Sequence, residues 1–258
     1  MKKDFVEERR SKILEYVNSQ GRADISELSS VLKTAEATIR RDLATLEKDN
    51  LIYRVHGGVI KREQPSIWQT TALQDRLGMN SERKERIAKF VTQLVHDGDS
   101  LMIDGGSTTM LAAKALCTKK NLLVVSNAPP IGELLINYND NKVILTGGEL
   151  LKETSAMIGN AAQHSLEQYR TDKAIIGVSG LLADEGCFAA VPQEAEIKRL
   201  MSFNSRETIV ITDSSKIGVR AFCFVCDFTH VDKLVTDKDI SSEALENLKQ
   251  QDVEVYIV

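Results

Sequence analysis

Long apolar runs are missing from this chain of 258 residues. No stretch approaches the roughly 18 residues a membrane span requires, and the opening MKKDFVEERR has no apolar core that could serve as a secretion signal. Cysteine is scarce: Cys117, Cys187, Cys223 and Cys226 are all there is, which suits a reduced, cytoplasmic protein. The pair in CFVC (223–226) has C-x-x-C spacing, but no second C-x-x-C or H-x-x-x-H element accompanies it. Two core or strand thiols without special chemistry are therefore expected there, and no metal or cofactor. Low-complexity tracts and collagen-like or coiled-coil bias are also absent, and 42% hydrophobic with 27% charged residues is ordinary for a globular chain.

What is present is unevenly spread. Residues 1–64 carry 13 Lys and Arg against 11 Asp and Glu, whereas the remainder carries 20 against 26. A mildly basic end on an acidic body fits local attraction to a polyanion. The length allows one large core plus a small extra module.

In the small module, FVEERRSKILEYVNSQG places Val6, Ile13, Leu14 and Val17 at helical spacing and stops at Gly21, a C′ residue. Asp24 and Glu27 form the D-x-x-E of a capping box before Leu28, Val31 and Leu32. After a turn at Lys33 and Thr34, a third helix runs to about Lys48 with Ala35, Ile39, Leu43 and Leu46 inward. Ala37, Arg41, Ala44 and Lys48 then point outward, flanked by Thr38, Arg40 and Thr45. Small, hydroxyl and basic side chains on one face suit a major groove: short residues allow close approach, Arg pairs with guanine, and Thr or Lys holds phosphates. A helix, tight turn and second helix is the arrangement in which the second helix reads bases. LIYRV, His56-Gly57-Gly58 and VIK follow as strand, turn and returning strand, making a winged helix-turn-helix with Arg54 and His56 near backbone or minor groove.

Lys61 to Asn80, with the single Trp68, reads as a linker that ends by packing on the next domain. The expected division is 1–60, 61–80 and 81–258. Beyond the linker, near-continuous apolar strands (SLMID, NLLVVSN, KVILTGG, DKAIIGVSG, TIVITD, KLVTD, VEVYIV) alternate with helical stretches. Such a pattern predicts an α/β domain with a mostly parallel sheet covered on both faces, whose ligand lies beyond the carboxyl ends of the strands. Those ends offer Asp104, then Gly105-Gly106-Ser107-Thr108-Thr109 opening a helix, Asn127, Gly147-Gly148, Ser179-Gly180, and Asp213 with Lys216. The loop after Asp104 reads either as a phosphate cradle of N–H and hydroxyl groups or as a structural glycine turn. Asp104 would suit a sugar hydroxyl and Lys216 an anion, or Asp213 and Lys216 form a loop salt bridge.

TIRRDLATLEKDNLIYRVHGG resembles the helix-turn-helix signature of the DeoR family of bacterial transcription regulators: TIRRDL, LE, a leucine, an arginine and HGG at this spacing. The family usually has Val-Ser before this helix where the present chain has Thr34-Ala35. The larger half is similar to the family's sensor domain at Lys84, IA (87–88), GD (98–99), the loop 104–109, Asn127, GG (147–148), DKA (172–174), EAEIK (194–198) and D-x-x-K (213–216). That resemblance implies a three-layer α/β fold shared with ribose-5-phosphate isomerase and CoA transferases. It also implies a phosphorylated sugar as effector, its phosphate on Ser107–Thr109 with Lys84 or Lys216 nearby and Gly106, Asn127, Gly148, Ser179, Gly180, Glu194 and Asp213 around it. The expected partners are double-stranded operator DNA, that effector, and further copies in a dimer or tetramer. An isomerase-like enzyme fused to a DNA-binding domain is the rival. Where related isomerases carry a DGAD-like acid pair this chain has Gly177-Val178-Ser179-Gly180, which leaves proton shuffling without its acids and predicts a sensor with no catalytic residue.

Overall fold

The computed structural model describes residues 2–48, 51–55, 57–61 and 73–258. Two compact units divide between Gln64 and Pro65. His56 and most of the predicted linker, including Trp68, lie outside the described residues, as do the side chains of Lys48 and Arg54.

In the first unit α1 (Lys2–Gln20) buries Ile13 and Val17 and stops at Gly21, whose φ of +77° and N–H bond to the Val17 carbonyl at 2.9 Å make the left-handed stop. A three-residue strand not foreseen above, β1 (Arg22–Asp24), precedes α2 (Ile25–Val31). Asp24 and Glu27 close the capping box, the Asp24 N–H donating to Glu27 Oε2 at 3.2 Å. α3 (Glu36–Lys48) follows, then β2 (Ile52–Val55) and β3 (Gly58–Lys61), giving an antiparallel sheet in the order β1-β3-β2. Both glycines of the β2–β3 turn are needed. Gly57 has a φ of +83°, and a Cβ at Gly58 would stand 2.5 Å from the Ala23 carbonyl oxygen.

Ala35 does not face the core as its spacing suggested; it is exposed. Its carbonyl accepts the Ile39 N–H at 3.1 Å, so Ala35 is the N-cap and helical periodicity begins only after it. Thr34 does not take over the cap, since its hydroxyl donates to the Leu32 carbonyl at 2.9 Å. Ala35→Ser is expected to raise stability of this unit by about 1 kcal/mol in urea unfolding, by giving a first-turn N–H an acceptor.

The second unit opens with α4 (Leu73–Gly78) and α5 (Ser81–Leu94). β4 (Ser100–Ile103), α6 (Ser107–Leu116), β5 (Leu123–Ser126), α7 (Pro129–Leu135) and β6 (Lys142–Leu145) follow. A short hairpin, β7 (Glu149–Leu151) and β8 (Ala156–Ile158), precedes α8 (Asn160–Glu167) and β9 (Thr171–Gly177). Next come β10 (Gly180–Leu182), β11 (Gly186–Ala189), α9 (Pro192–Phe203), β12 (Ser205–Ile211) and β13 (Cys223–Cys226). β14 (Lys233–Thr236), α10 (Ser242–Leu248) and β15 (Glu254–Ile257) complete the chain.

Seven strands pair in parallel in the order β6-β5-β4-β9-β12-β14-β15. Leu101, Ile103, Ile175 and Ile209 turn one way onto α5, α6 and α7; Met102, Ala174, Ile176 and Val210 turn the other way onto α8, α9 and α10. The result is the three-layer α/β arrangement expected, because strands buried on both faces must be apolar throughout. The antiparallel sheet β10-β11-β13 was not foreseen. It accounts for CFVC, which is a strand whose Cys226 lies opposite Cys187. The chain adds strands outward from β4 to β6, then returns to β9 beside β4 and adds strands the other way. That reversal puts a crevice at the carboxyl ends of β4 and β9, where open α/β sheets hold ligands.

Candidate functional site

On α3, Ile39, Leu43 and Leu46 are buried, while Ala37, Arg40, Arg41 and Ala44 are exposed and Thr38 and Thr45 partly so. Arg40 pairs with Glu36 one turn back at 3.1 Å, an exposed pair that weakly holds it. Arg41 forms no ion pair with any described residue. Thr45 is turned inward instead: its hydroxyl donates to the Arg41 carbonyl at 3.2 Å and accepts from Arg10 Nη2 at 3.1 Å. Asp42, unnoticed in sequence, is buried between Arg9 at 2.6 Å and Arg10 at 3.1 Å and binds α1 to α3. Asp42→Ala is expected to cost about 2 kcal/mol in urea unfolding of this unit, because two charged donors lose their acceptor.

In the second unit Asp104 stands at the switch point, 1% exposed. Its Oδ1 accepts the Gly177 N–H at 3.0 Å, tying the end of β4 to the end of β9, and its Oδ2 is paired with the buried Lys198 ammonium of α9. Burial, with Arg76 adding, lowers the Lys198 pKa. Asn127 is a brace: its Oδ1 accepts the Gly105 N–H at 3.0 Å and its Nδ2 donates to the Met157 carbonyl at 3.0 Å. Thr109 spends its hydroxyl on the Gly106 carbonyl at 3.1 Å, while Ser107 and Thr108 are buried in the first turn of α6, whose N–H groups lie at the end next to β4.

Cations converge on this place. Lys84 of α5 is buried, and its Nζ donates to the Arg76 carbonyl at 2.5 Å. Burial pushes its pKa down to about 8, Asp213 opposing and the charges of Lys216 and Arg76 adding. Asp213 is buried, accepts Asn80 Nδ2 at 3.1 Å and caps the turn Ser214–Lys216 that carries Lys216. Arg76 of α4 has Nε and Nη2 buried without a hydrogen-bond partner among the described residues, while Glu194 and Thr154 lie side by side on the same buried cluster. Burial raises the Glu194 carboxyl, with the Thr154 hydrogen bond and the Arg76 charge pulling the other way. A guanidinium fork beside lysines is chemically suited to an anion such as a phosphate.

Three predicted residues serve the scaffold. A Cβ on Gly148 would meet the Ile158 carbonyl oxygen at 2.4 Å, and on Gly180 the Val219 carbonyl oxygen at 2.3 Å. Ser179 donates its N–H to Phe188 at 2.8 Å and so anchors the second sheet. Arg76, Thr154 and Lys198 were missed. Arg76 fell within the predicted linker, while Lys198 stood only within EAEIK (194–198), although Glu194 and Lys198 lie one turn apart on that helix.

Comparison with known proteins bears on both units. Residues 9–64 match the DeoR-like helix-turn-helix domain and residues 79–238 the DeoR C terminal sensor domain. The chain belongs to the DeoR family of transcription regulators. The glycerol-3-phosphate regulon repressor of Escherichia coli (strain K12) is 35% identical over 89% of this chain and 90% of its own. The HTH-type transcriptional repressor GlcR of Bacillus subtilis (strain 168) is 30% identical over 98% of this chain and 96% of its own. Ribose 5-phosphate isomerase A of Methanocaldococcus jannaschii aligns over 54% of this chain and 55% of its own, at 18% identity and a TM-score of 0.40. As a DeoR-family member the chain is a DNA-binding regulator with a sensor domain, and not an enzyme. No described helix is long and apolar enough to cross a membrane.

Proposed function

We propose that this DeoR-family regulator is a cytoplasmic repressor of a sugar-utilisation operon whose hold on DNA is set by a phosphorylated sugar in the second unit. The observation that carries the proposal is the half-buried Arg76, whose Nε and Nη2 are buried without a hydrogen-bond partner among the described residues, held beside the buried Lys84. The phosphate lies against Arg76, Lys84 and the Ser107–Thr108 end of α6, with Lys216 contributing charge. Glu194 and Thr154 read sugar hydroxyls. Asp104 holds the site's shape through Gly177 and Lys198, and Asn127 does so through Gly105. The sensor accordingly begins at α4 rather than at residue 81, after a DNA-binding module of residues 1–60. Since one recognition helix reads only a few base pairs, a dimer or tetramer on repeated half-sites is the working form.

A thermal-shift panel pairing phosphorylated sugars with their unphosphorylated forms tests the effector. A ligand at a hundredfold excess over its Kd adds about 2.7 kcal/mol, so the midpoint rises by roughly 5–10 °C. A panel without a phosphate-dependent hit would sink the proposal. The pH response is a second check. The anion prefers the charged Lys84, so above about pH 8 binding must take up a proton. Affinity is then expected to fall by up to about tenfold per pH unit in calorimetric titrations. In the DNA-binding unit, Arg41→Ala is expected to weaken operator binding by about 1–3 kcal/mol in gel shifts if Arg41 reads a base. Unchanged affinity would remove it from the interface.

A further inference from the structure

We propose that Glu36 and Arg40 act as one neutral unit that reads a single G·C base pair, Arg40 donating to the guanine and Glu36 accepting from the cytosine amino group. Glu36 is thereby a specificity-determining residue of the recognition helix.

Position is the first argument. Glu36 opens α3 directly after the N-cap Ala35. In helix-turn-helix proteins the N-terminal residues of the second helix are those that contact base edges. Both side chains stand clear of the core, Glu36 being 48% and Arg40 58% exposed. The outward side next to them carries Ala37 and Ala44, exposed and too short to hold a base edge away. Four residues apart, the two side chains rise from neighbouring turns, and Arg40 Nη2 donates to Glu36 Oε2 at 3.1 Å. The helix that presents them is itself held, because Asp42 ties it to Arg9 and Arg10 of α1.

Charge is the second. A cation that serves only to hold a phosphate gains nothing from a carboxylate beside it, since a neutral pair displaces no counterion. A carboxylate alone in a groove meets phosphates that repel it and base edges made mostly of acceptors. The pair differs from both, because it offers donors and an acceptor side by side. The major-groove edge of a G·C pair is its complement: guanine N7 and O6 accept, and cytosine N4 donates. Only one of the five guanidinium N–H groups is needed for the bond to Glu36, so a two-donor edge remains for guanine, and a carboxylate has lone pairs enough for a second donor. A pair at this spacing also lends the helix modest support, and that role alone predicts a different outcome.

Selection from a library of random-sequence duplexes by the full chain, wild type beside Glu36→Ala, Glu36→Gln and Arg40→Ala, tests this. Wild type should enrich a motif containing a G·C pair at which Glu36→Ala and Arg40→Ala both lose discrimination by about 5- to 150-fold, other positions keeping theirs. Glu36→Gln keeps the length but can donate as well as accept, so the same position should relax towards adenine, with which glutamine pairs at N6 and N7. Glu36→Ala should also bind unselected duplex more tightly and steepen the salt dependence by about one phosphate contact, because Arg40 then carries a net charge. An unchanged motif in Glu36→Ala with uniformly tighter binding would overturn the proposal and leave Glu36 as a helix partner. Losses at different base pairs in the two alanine variants would overturn the single unit. Equal weakening on every sequence would trace the effect to helix stability and overturn base reading. A motif unchanged in Glu36→Gln counts against the proposal even where an alanine variant folds poorly.

Discussion

Replacing Asp104 by alanine is expected to lower the unfolding free energy of the unit Pro65–Val258 by about 3–5 kcal/mol, because it strands a buried Lys198 ammonium and the Gly177 N–H together. In a domain of this size that moves the thermal midpoint down by roughly 10 °C. The ion pair, not the carboxylate alone, is the source of the effect. Asp104→Leu combined with Lys198→Met should therefore be more stable than either single variant, since the double replacement leaves no unpaired charge. Urea unfolding of the four proteins gives the coupling directly, and additive losses would show that the two side chains do not act as a pair. Operator affinity should survive in the double variant while the response to effector is lost, because the carboxylate no longer joins the end of β4 to that of β9.

Arg76→Ala should weaken binding of a phosphorylated sugar by about 3–6 kcal/mol, two charge-assisted hydrogen bonds at roughly 1.5–3 kcal/mol each. Affinity for the unphosphorylated sugar should hardly change. Arg76→Lys should recover only part of the loss, since an ammonium keeps the charge but not the planar fork. Calorimetric titration with each sugar pair separates these outcomes, and equal losses for both forms would place Arg76 outside the phosphate subsite. Stability moves in a different pH window. The folded pKa of Lys84, about 8, lies below its unfolded value, so the unfolded chain holds more protons above pH 8. The unit should accordingly gain stability between about pH 8 and 10.

The strands and helices of both units were legible where one period governed many residues, as in SLMID or NLLVVSN. Asp24 and Glu27 announced their helix because a capping box is a local device whose partners stand three residues apart. Ala35 was misread because period alone cannot say where a helix begins, and the bond from Ile39 settles that. Asp104 was legible as a strand-end acid, but its role was not. Lys198 and Gly177 are 94 and 73 residues away, a distance that no local pattern spans. Arg76 was hidden differently: six helical residues are too few to show a periodic face, so α4 looked like linker.

The seam between β4 and β9 has a consequence for how the protein is made. Everything from β4 to β6 leaves the ribosome before the strand that covers β4's other edge exists. At 5–20 residues per second the 73 residues from Asp104 to Gly177 take roughly 4–15 s to synthesise. During that interval Leu101, Met102 and Ile103 form a bare apolar edge, open to pairing with any other nascent strand. The centre of the sheet, its most protected place once β9 has docked, is the most vulnerable one at birth.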